Sequence, residues 1–331
     1  MFRVLIWFLS LLSQVILPAN GWAAEKLVGI NSALALSQSF PWIAKETGLF
    51  HKHNLNFEPV FIQSSAAVTA AMLGGEAEIG ILGAVGIVRA SIQGATDFVF
   101  IGAVKNILTH SIVARPDIKK PEQLKGKTIG VTRIGSNSHY FAAQALQRIG
   151  LDPSRDVTIR QTGGDFASLM ALTNGTVDAM TMLSYGETAV AKGFHYLIYG
   201  PDIRIPYAAA SLVTRRSVMT QRPQVIGSYM RAMAEAAKIF FTDQETTYKI
   251  LSKYLRITDR KLLEASYSTE MKALEPRLEI KTDAVDAIIA EAEATDPRAR
   301  KFKAAQFIDR RYLEEFEKSG FFDSLWGRKA K

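Results

Sequence analysis

The chain has 331 residues, a formal net charge of +8 and no cysteine. The missing cysteine excludes disulfides, thiolate nucleophiles, zinc–cysteine sites and iron–sulfur clusters. Its basic residues are interspersed with acids, and pairs such as Lys119-Lys120 and Arg215-Arg216 are too short for a binding tract, so no nucleic-acid partner is expected.

Arg3 is the only charge before Glu25. The apolar run Val4–Leu12, continued by Val15-Ile16-Leu17, is broken by Pro18, Asn20 and Gly21, and Gly21 and Ala23 put small residues at −3 and −1 of a cut after Ala23. These are the parts of a secretory signal peptide over 1–23. A membrane anchor is disfavoured, because the run falls short of the roughly 20 residues that span a bilayer. The expectation is export to the periplasm as a free monomer. Without a cysteine there is none to carry a lipid tether.

Two stretches about one hundred residues apart then repeat each other. Val28-Gly29-Ile30 recurs as Ile129-Gly130-Val131, each a short buried strand, at an offset of 101. A loop and a helix follow in both: Pro41–Thr47, stopped by Gly48, and Tyr140–Ile149, stopped by Gly150. Ser39 and Ser138 are read as N-caps. The strand Phe57–Phe61 and the helix Ala66–Leu73 match Val157–Arg160 and Phe166–Thr173. Both helices end on glycine, Gly75 and Gly175, and lead into Glu76–Ile79 and Thr176–Ala179.

Strand, helix, strand, helix, strand is the pattern of a parallel sheet covered by helices, so two copies imply two similar α/β lobes. Ser111–Arg115 and Ala208–Thr214 are read as strands that carry the chain between lobes, a two-strand hinge. The resulting division is 24–112 for the first part of lobe I, 113–210 for lobe II, and 211–331 for the return to lobe I with helices at 224–241, 246–254, 261–268, 282–295 and 309–319.

In parallel sheets ligands bind beyond the carboxyl ends of the strands. Four polar loops fall there: Ser37-Gln38-Ser39, Gln63-Ser64-Ser65, Gly135–His139 and Gly163-Gly164-Asp165. Each opens a helix, where free N–H groups and the dipole favour a polar or anionic group. Gly83–Gly86, including Ala84, would let backbone approach a ligand, and Ser184–Glu187 offers Tyr185 and Glu187. Arg133, Lys105, His110, His139 and Tyr207 are more readily surface or supporting residues. His51 and His53 lack a third ligand nearby, and no metal site or cofactor is expected. Gly126-Lys127-Thr128 is not a phosphate-binding loop, because Pro121 stands where a glycine is required.

Three segments carry a family resemblance: Pro41–Phe50, Leu73–Gly80, and Gln123-Leu124-Lys125-Gly126-Lys127-Thr128-Ile129-Gly130-Val131. In order and spacing the chain resembles the nitrate/sulfonate/taurine-type ABC substrate-binding proteins, the SsuA/THI5-like or NMT1-like group, over about residues 27–240. The resemblance implies a type II periplasmic-binding-protein fold with a ligand cleft between two lobes. It also implies hinge closure on a small polar or anionic molecule, delivery to an inner-membrane ABC permease with its cytoplasmic ATPase, and no catalysis. It places the ligand on Gln38, Ser39, Ser64, Ser65, Ser136, Asn137 and Ser138, with Tyr185 and Glu187 added. Two alternatives stay open: a periplasmic sensing module, and a cytosolic enzyme of the same fold such as a menaquinone-pathway dehydratase.

Overall fold

The computed structural model describes residues 24–327. The expected signal peptide lies outside the described residues. Among those described, no helix is long and apolar enough to cross a membrane.

Among the described residues ten strands form two five-stranded sheets. They are β1 (Glu25–Asn31), β2 (Leu55–Phe61), β3 (Ile79–Leu82), β4 (Phe98–Leu108), β5 (Ser111–Ala114), β6 (Thr128–Val131), β7 (Thr158–Gln161), β8 (Ala179–Met182), β9 (His195–Ile198) and β10 (Ile205–Arg215). The sheet orders are β2-β1-β3-β10-β4 and β7-β6-β8-β5-β9. In each, three parallel strands join an antiparallel one, β10 or β5, contributed from the other end of the crossing. This is an α/β fold of two similarly wired lobes.

The repeat is more regular than the sequence suggested. Gly29 pairs with Ile79 and Ile129 with Ala179; Val28 pairs with Glu58 and Thr128 with Thr158. The register is offset by 100 throughout, so Gly29 corresponds to Ile129. Aligning Gly29 with Gly130, as the local pattern suggests, puts the first strand one residue off. Each lobe also braces the loop after its first strand in the same way. The Ser32 N–H donates to Gln38 Oε1 at 2.8 Å, and the Thr132 N–H donates to Ser138 Oγ at 2.9 Å.

The crossings differ from the expectation. Ser111–Ala114 belongs wholly to the second sheet, and β10 pairs with β4 in the first sheet from Ile205 onward. The chain therefore passes between sheets at residues 109–110 and 199–204, and the divisions at 112/113 and 210/211 cut through strands. The two crossings touch. Gly200 N–H donates to Ser111 Oγ at 3.1 Å, and a Cβ on Gly200 would lie 1.5 Å from the His110 carbonyl oxygen, so only glycine fits there.

The C-terminal helices return to the first lobe: Pro223–Thr242, Gln244–Leu255, Arg260–Met271, Thr282–Glu293 and Arg311–Lys318. Along the first of these, Val225, Ile226, Tyr229, Met230, Met233, Ala237 and Phe240 form a buried stripe at helical spacing. It lies on the helix Phe40–Glu46 and on β2. Phe50, Phe57 and Tyr229 cluster with centroids 4.3 to 5.8 Å apart. Each such side chain contributes roughly 1.5–3 kcal/mol by leaving water. This packed core of the first lobe underlies the loops at its strand ends.

Candidate functional site

Those loops open on a cavity of about 250 Å³ between the lobes. The first lobe supplies Ser32–Ala35, Ser37, Gln38, Phe61, Gln63–Ser65, Lys105, Leu108 and Ala209. The second supplies Thr132, Ser136–Ser138, Gly164–Ala167 and Leu183–Tyr185, and His110 comes from a crossing. Three helices begin at this cavity, Ser65–Gly74, Asn137–Arg148 and Asp165–Thr173. The duplication brings them to face one another, as strand ends of facing sheets must.

Most of the expected residues are here, in unequal roles. Ser64 and Ser65 line the cavity. Ser64 has φ +89°, unusual for a non-glycine residue, and its buried Oγ has no partner among the described residues. An unpaired buried hydroxyl costs about 1–3 kcal/mol, which a ligand could recover. Ser136 and Ser138 also line the wall, but with Thr132 their hydroxyls close a triangle with sides of 2.9–3.0 Å. Gln38 lines the cavity while its amide is spent on Ser32 and Ala33. Asn137 and Tyr185 reach across it, as described below.

Three expected residues do not line this cavity. Ser39 is fully buried and donates to the Leu36 carbonyl at 2.7 Å, because a short 3₁₀ turn (Leu36–Gln38) precedes the helix and takes up its hydroxyl. Ala84 is buried behind Gly83, with its N–H on the Ala208 carbonyl. Glu187 accepts from the Tyr196 hydroxyl at 3.0 Å and faces a smaller neighbouring depression. The expected caps shift too. Ser136, not Ser138, caps the helix Asn137–Arg148, and Ser39 makes no capping bond.

Polar bonds span the gap. Asn137 Nδ2 donates to the Ala209 carbonyl at 2.9 Å, and its Oδ1 accepts from the Tyr207 hydroxyl at 2.9 Å and from Ser65 Oγ at 3.3 Å. Ser184 Oγ donates to the Leu34 carbonyl and the Tyr185 hydroxyl to the Leu255 carbonyl. Two glycines admit these approaches. A Cβ on Gly83 would sit 1.6 Å from Asn137 Oδ1, and one on Gly164 would sit 1.3 Å from Gln63 Nε2.

Three ionisable groups set the electrostatics. Lys105 is buried. Its ammonium donates to Glu270 at 2.5 Å and to Thr109; burial lowers its pKa, and Glu270 opposes this. His110 is driven down to about 3 by burial and by Lys105, so it is neutral, and its Nδ1 has no partner among the described residues. Asp165 is raised to about 6 by burial, against two N–H bonds from Leu183 and Ser184 to its Oδ2 at 3.1 and 2.6 Å. Among the described residues no group of three His, Cys, Asp or Glu is placed to hold a metal.

Sequence reasoning did not single out the apolar walls. Leu34, Phe61 and Phe166 line the cavity and are 37%, 43% and 63% exposed, and Phe166 meets Tyr185 edge-on at 6.3 Å. Their signal was available. Large apolar residues beside polar helix starts, Phe61 before Gln63 and Phe166 after Asp165, have no place in a lobe core.

Residues 39–247 match the family model described as NMT1/THI5 like. The taurine-binding periplasmic protein of Escherichia coli (strain K12) is 25% identical over 189 residues, a stretch covering 56% of this chain and 58% of that protein. The alkanesulfonate-binding protein SsuA from Xanthomonas axonopodis pv. citri, solved with bound MOPS, superposes with a TM-score of 0.70 at 18% identity, over 88% of this chain and 98% of that one. The desulfurization enzyme DSZB superposes with a TM-score of 0.67 at 13% identity, over 89% of this chain and 99% of that one. The structural likenesses establish the type II periplasmic-binding-protein fold, and the family match establishes that this chain belongs to the NMT1/THI5-like family.

Proposed function

We propose that this protein is the periplasmic solute-binding component of an ABC importer. It captures a small polar organic molecule as its lobes close and delivers it to an inner-membrane permease with its ATPase. The observation that carries this reading is the cavity between the lobes, walled by both and bridged by Asn137. Two thin crossings that touch at Gly200 and His110 suit a hinge. The binding roles named for the taurine-binding and alkanesulfonate-binding proteins agree with it.

The reading is of a binder, not an enzyme. The hydroxyls of Thr132, Ser136 and Ser138 at the cavity wall brace one another and the backbone, and none of the three is hydrogen-bonded to a carboxylate or an imidazole among the described residues. The likeness to a desulfurization enzyme favours the catalytic alternative, which would show turnover of a bound organosulfur compound.

A thermal-shift screen of taurine, alkanesulfonates, nitrate, carboxylates and pyrimidines tests the proposal, since a bound ligand raises the midpoint by mass action. A hit should also contract the protein in small-angle scattering. A stabilising compound consumed on incubation would mark an enzyme instead. N-terminal sequencing of the periplasmic fraction tests export, with Ala24 expected first.

A further inference from the structure

The three helix starts at the cavity are not equivalent. In the first lobe the helix opens on Ser64 and Ser65; at the matching place, 100 residues on, the second lobe has Gly164 and Asp165. An anion approaching that second helix start meets a carboxylate, so the usual attraction of a helix dipole for anions is cancelled there. Asp165 is held in place: its Oδ2 accepts from the Leu183 and Ser184 N–H groups. Among the described residues no basic side chain forms an ion pair with it, and burial raises its pKa against those two backbone bonds.

The cavity also lacks a free cation among the described residues. No arginine lines it, Lys105 is already joined to Glu270, and His110 is neutral. The cavity therefore holds one carboxylate whose partners are backbone N–H groups, with no basic side chain paired to it among the described residues. Ser64 and His110 line it, the buried Ser64 Oγ and His110 Nδ1 have no partner among the described residues, and Ser64 can accept as well as donate. The contact of Gln63 with Gly164 brings the Ser64 and Asp165 ends of the two lobes together. Around them the walls are apolar, from Leu34, Phe61, Phe166 and Tyr185.

Building on the solute-binding reading, we propose that the cargo is a small molecule with an apolar or aromatic body and an N–H donor, a protonated amine or a ring amino group, that Asp165 accepts. A simple oxyanion without a donor is rejected, because it would lose its hydration to face a carboxylate.

The test is calorimetry and thermal shift on the full mature chain with matched pairs: taurine and ethanesulfonate, 4-aminobenzoate and benzoate, 4-aminopyrimidine and pyrimidine, with nitrate alone. The expected result is that the amine-bearing member of at least one pair binds tenfold or more tighter than its partner. In Asp165→Asn, which can still accept from Leu183 and Ser184, that preference should fall below threefold. If the variant does not fold, the pairs on the parent protein decide. Nitrate or an amine-free member binding as tightly as the best amine overturns the proposal and leaves the solute-binding reading standing. If none of the seven compounds is bound, both fall.

Discussion

The Tyr207 hydroxyl, on a strand of the first lobe, donates at 2.9 Å to Oδ1 of Asn137, the opening residue of a helix in the second. The same hydroxyl accepts from the Val85 N–H at 3.2 Å, so a chain of polar contacts runs from one lobe into the other. Asn137 completes it with Ser65 and Ala209, all within the closed gap. On the proposed hinge motion, opening the lobes would break this set and closing would re-form it.

Replacing Asn137 with Ala should therefore weaken ligand binding without unfolding either lobe. Hydrogen bonds contribute about 0.5–1.5 kcal/mol each, so losing three predicts a rise in Kd of about tenfold or more. Gly83→Ala should act the same way from the other side, since the three nearest atoms its Cβ would meet all belong to Asn137. Calorimetry with the best compound from the screen, paired with scattering, reads this. Unchanged affinity and unchanged contraction in both variants would remove Asn137 from the closing mechanism.

Asp165 should leave a mark on the pH dependence of ligand-free stability. Its pKa is raised in the fold, from 3.8 to about 6. The folded form thus holds its proton more tightly than the unfolded chain. The associated stability is full below about pH 4 and is lost as pH rises through 6. Thermal midpoints between pH 3 and 7 should show that decline relative to Asp165→Asn. Parallel profiles for the two proteins would mean that the carboxylate is better solvated than its surroundings indicate.

His110 acts in the opposite sense. Its pKa falls from 6.5 to about 3 in the fold, so its stability contribution is present above 6.5 and is lost as pH falls towards 3. Over pH 4–6 it opposes Asp165, and the parent profile should be flatter than that of either single variant. His110→Gln should remove the acid-side loss. It keeps a polar group at the crossing, although it gives up the stacking on Phe141 at 5.8 Å.

Phe240 offers a control far from the cavity. It is fully buried and packs on Phe40 and Tyr267, with centroids 5.4 and 4.9 Å away. Phe240→Ala should cost about 3–5 kcal/mol in urea unfolding. Ligand affinity, measured well below the new midpoint, should stay within a few-fold. A large affinity loss would show that the helix Pro223–Thr242 is coupled to closure as well as to the core.

Much of the fold was legible because local patterns agreed with one another. Glycine stops at Gly48, Gly75, Gly150 and Gly175 all adopt the left-handed conformation, and the stripe from Val225 to Phe240 is buried as its spacing requires. Where expectation failed, the deciding contacts were distant in sequence. Nothing near Ala208 shows that β10 enters the first sheet at Ile205, because its partner Leu108 lies nearly one hundred residues earlier. Ser39 has the composition of a cap, but a turn upstream takes its hydroxyl.

The amino-acid pattern by itself determined that two α/β units repeat and that polar helix starts cluster at matching places. These are consequences of nearest-neighbour chemistry: strand alternation, capping preference and the conformational freedom of glycine. Only the tertiary structure decided which hydroxyls are spent on their own loops, that Asn137 crosses the gap, that Glu270 pairs with Lys105, and that Asp165 is held by backbone N–H groups. Those outcomes depend on desolvation and on partners set side by side by packing, and a local stretch of sequence carries neither.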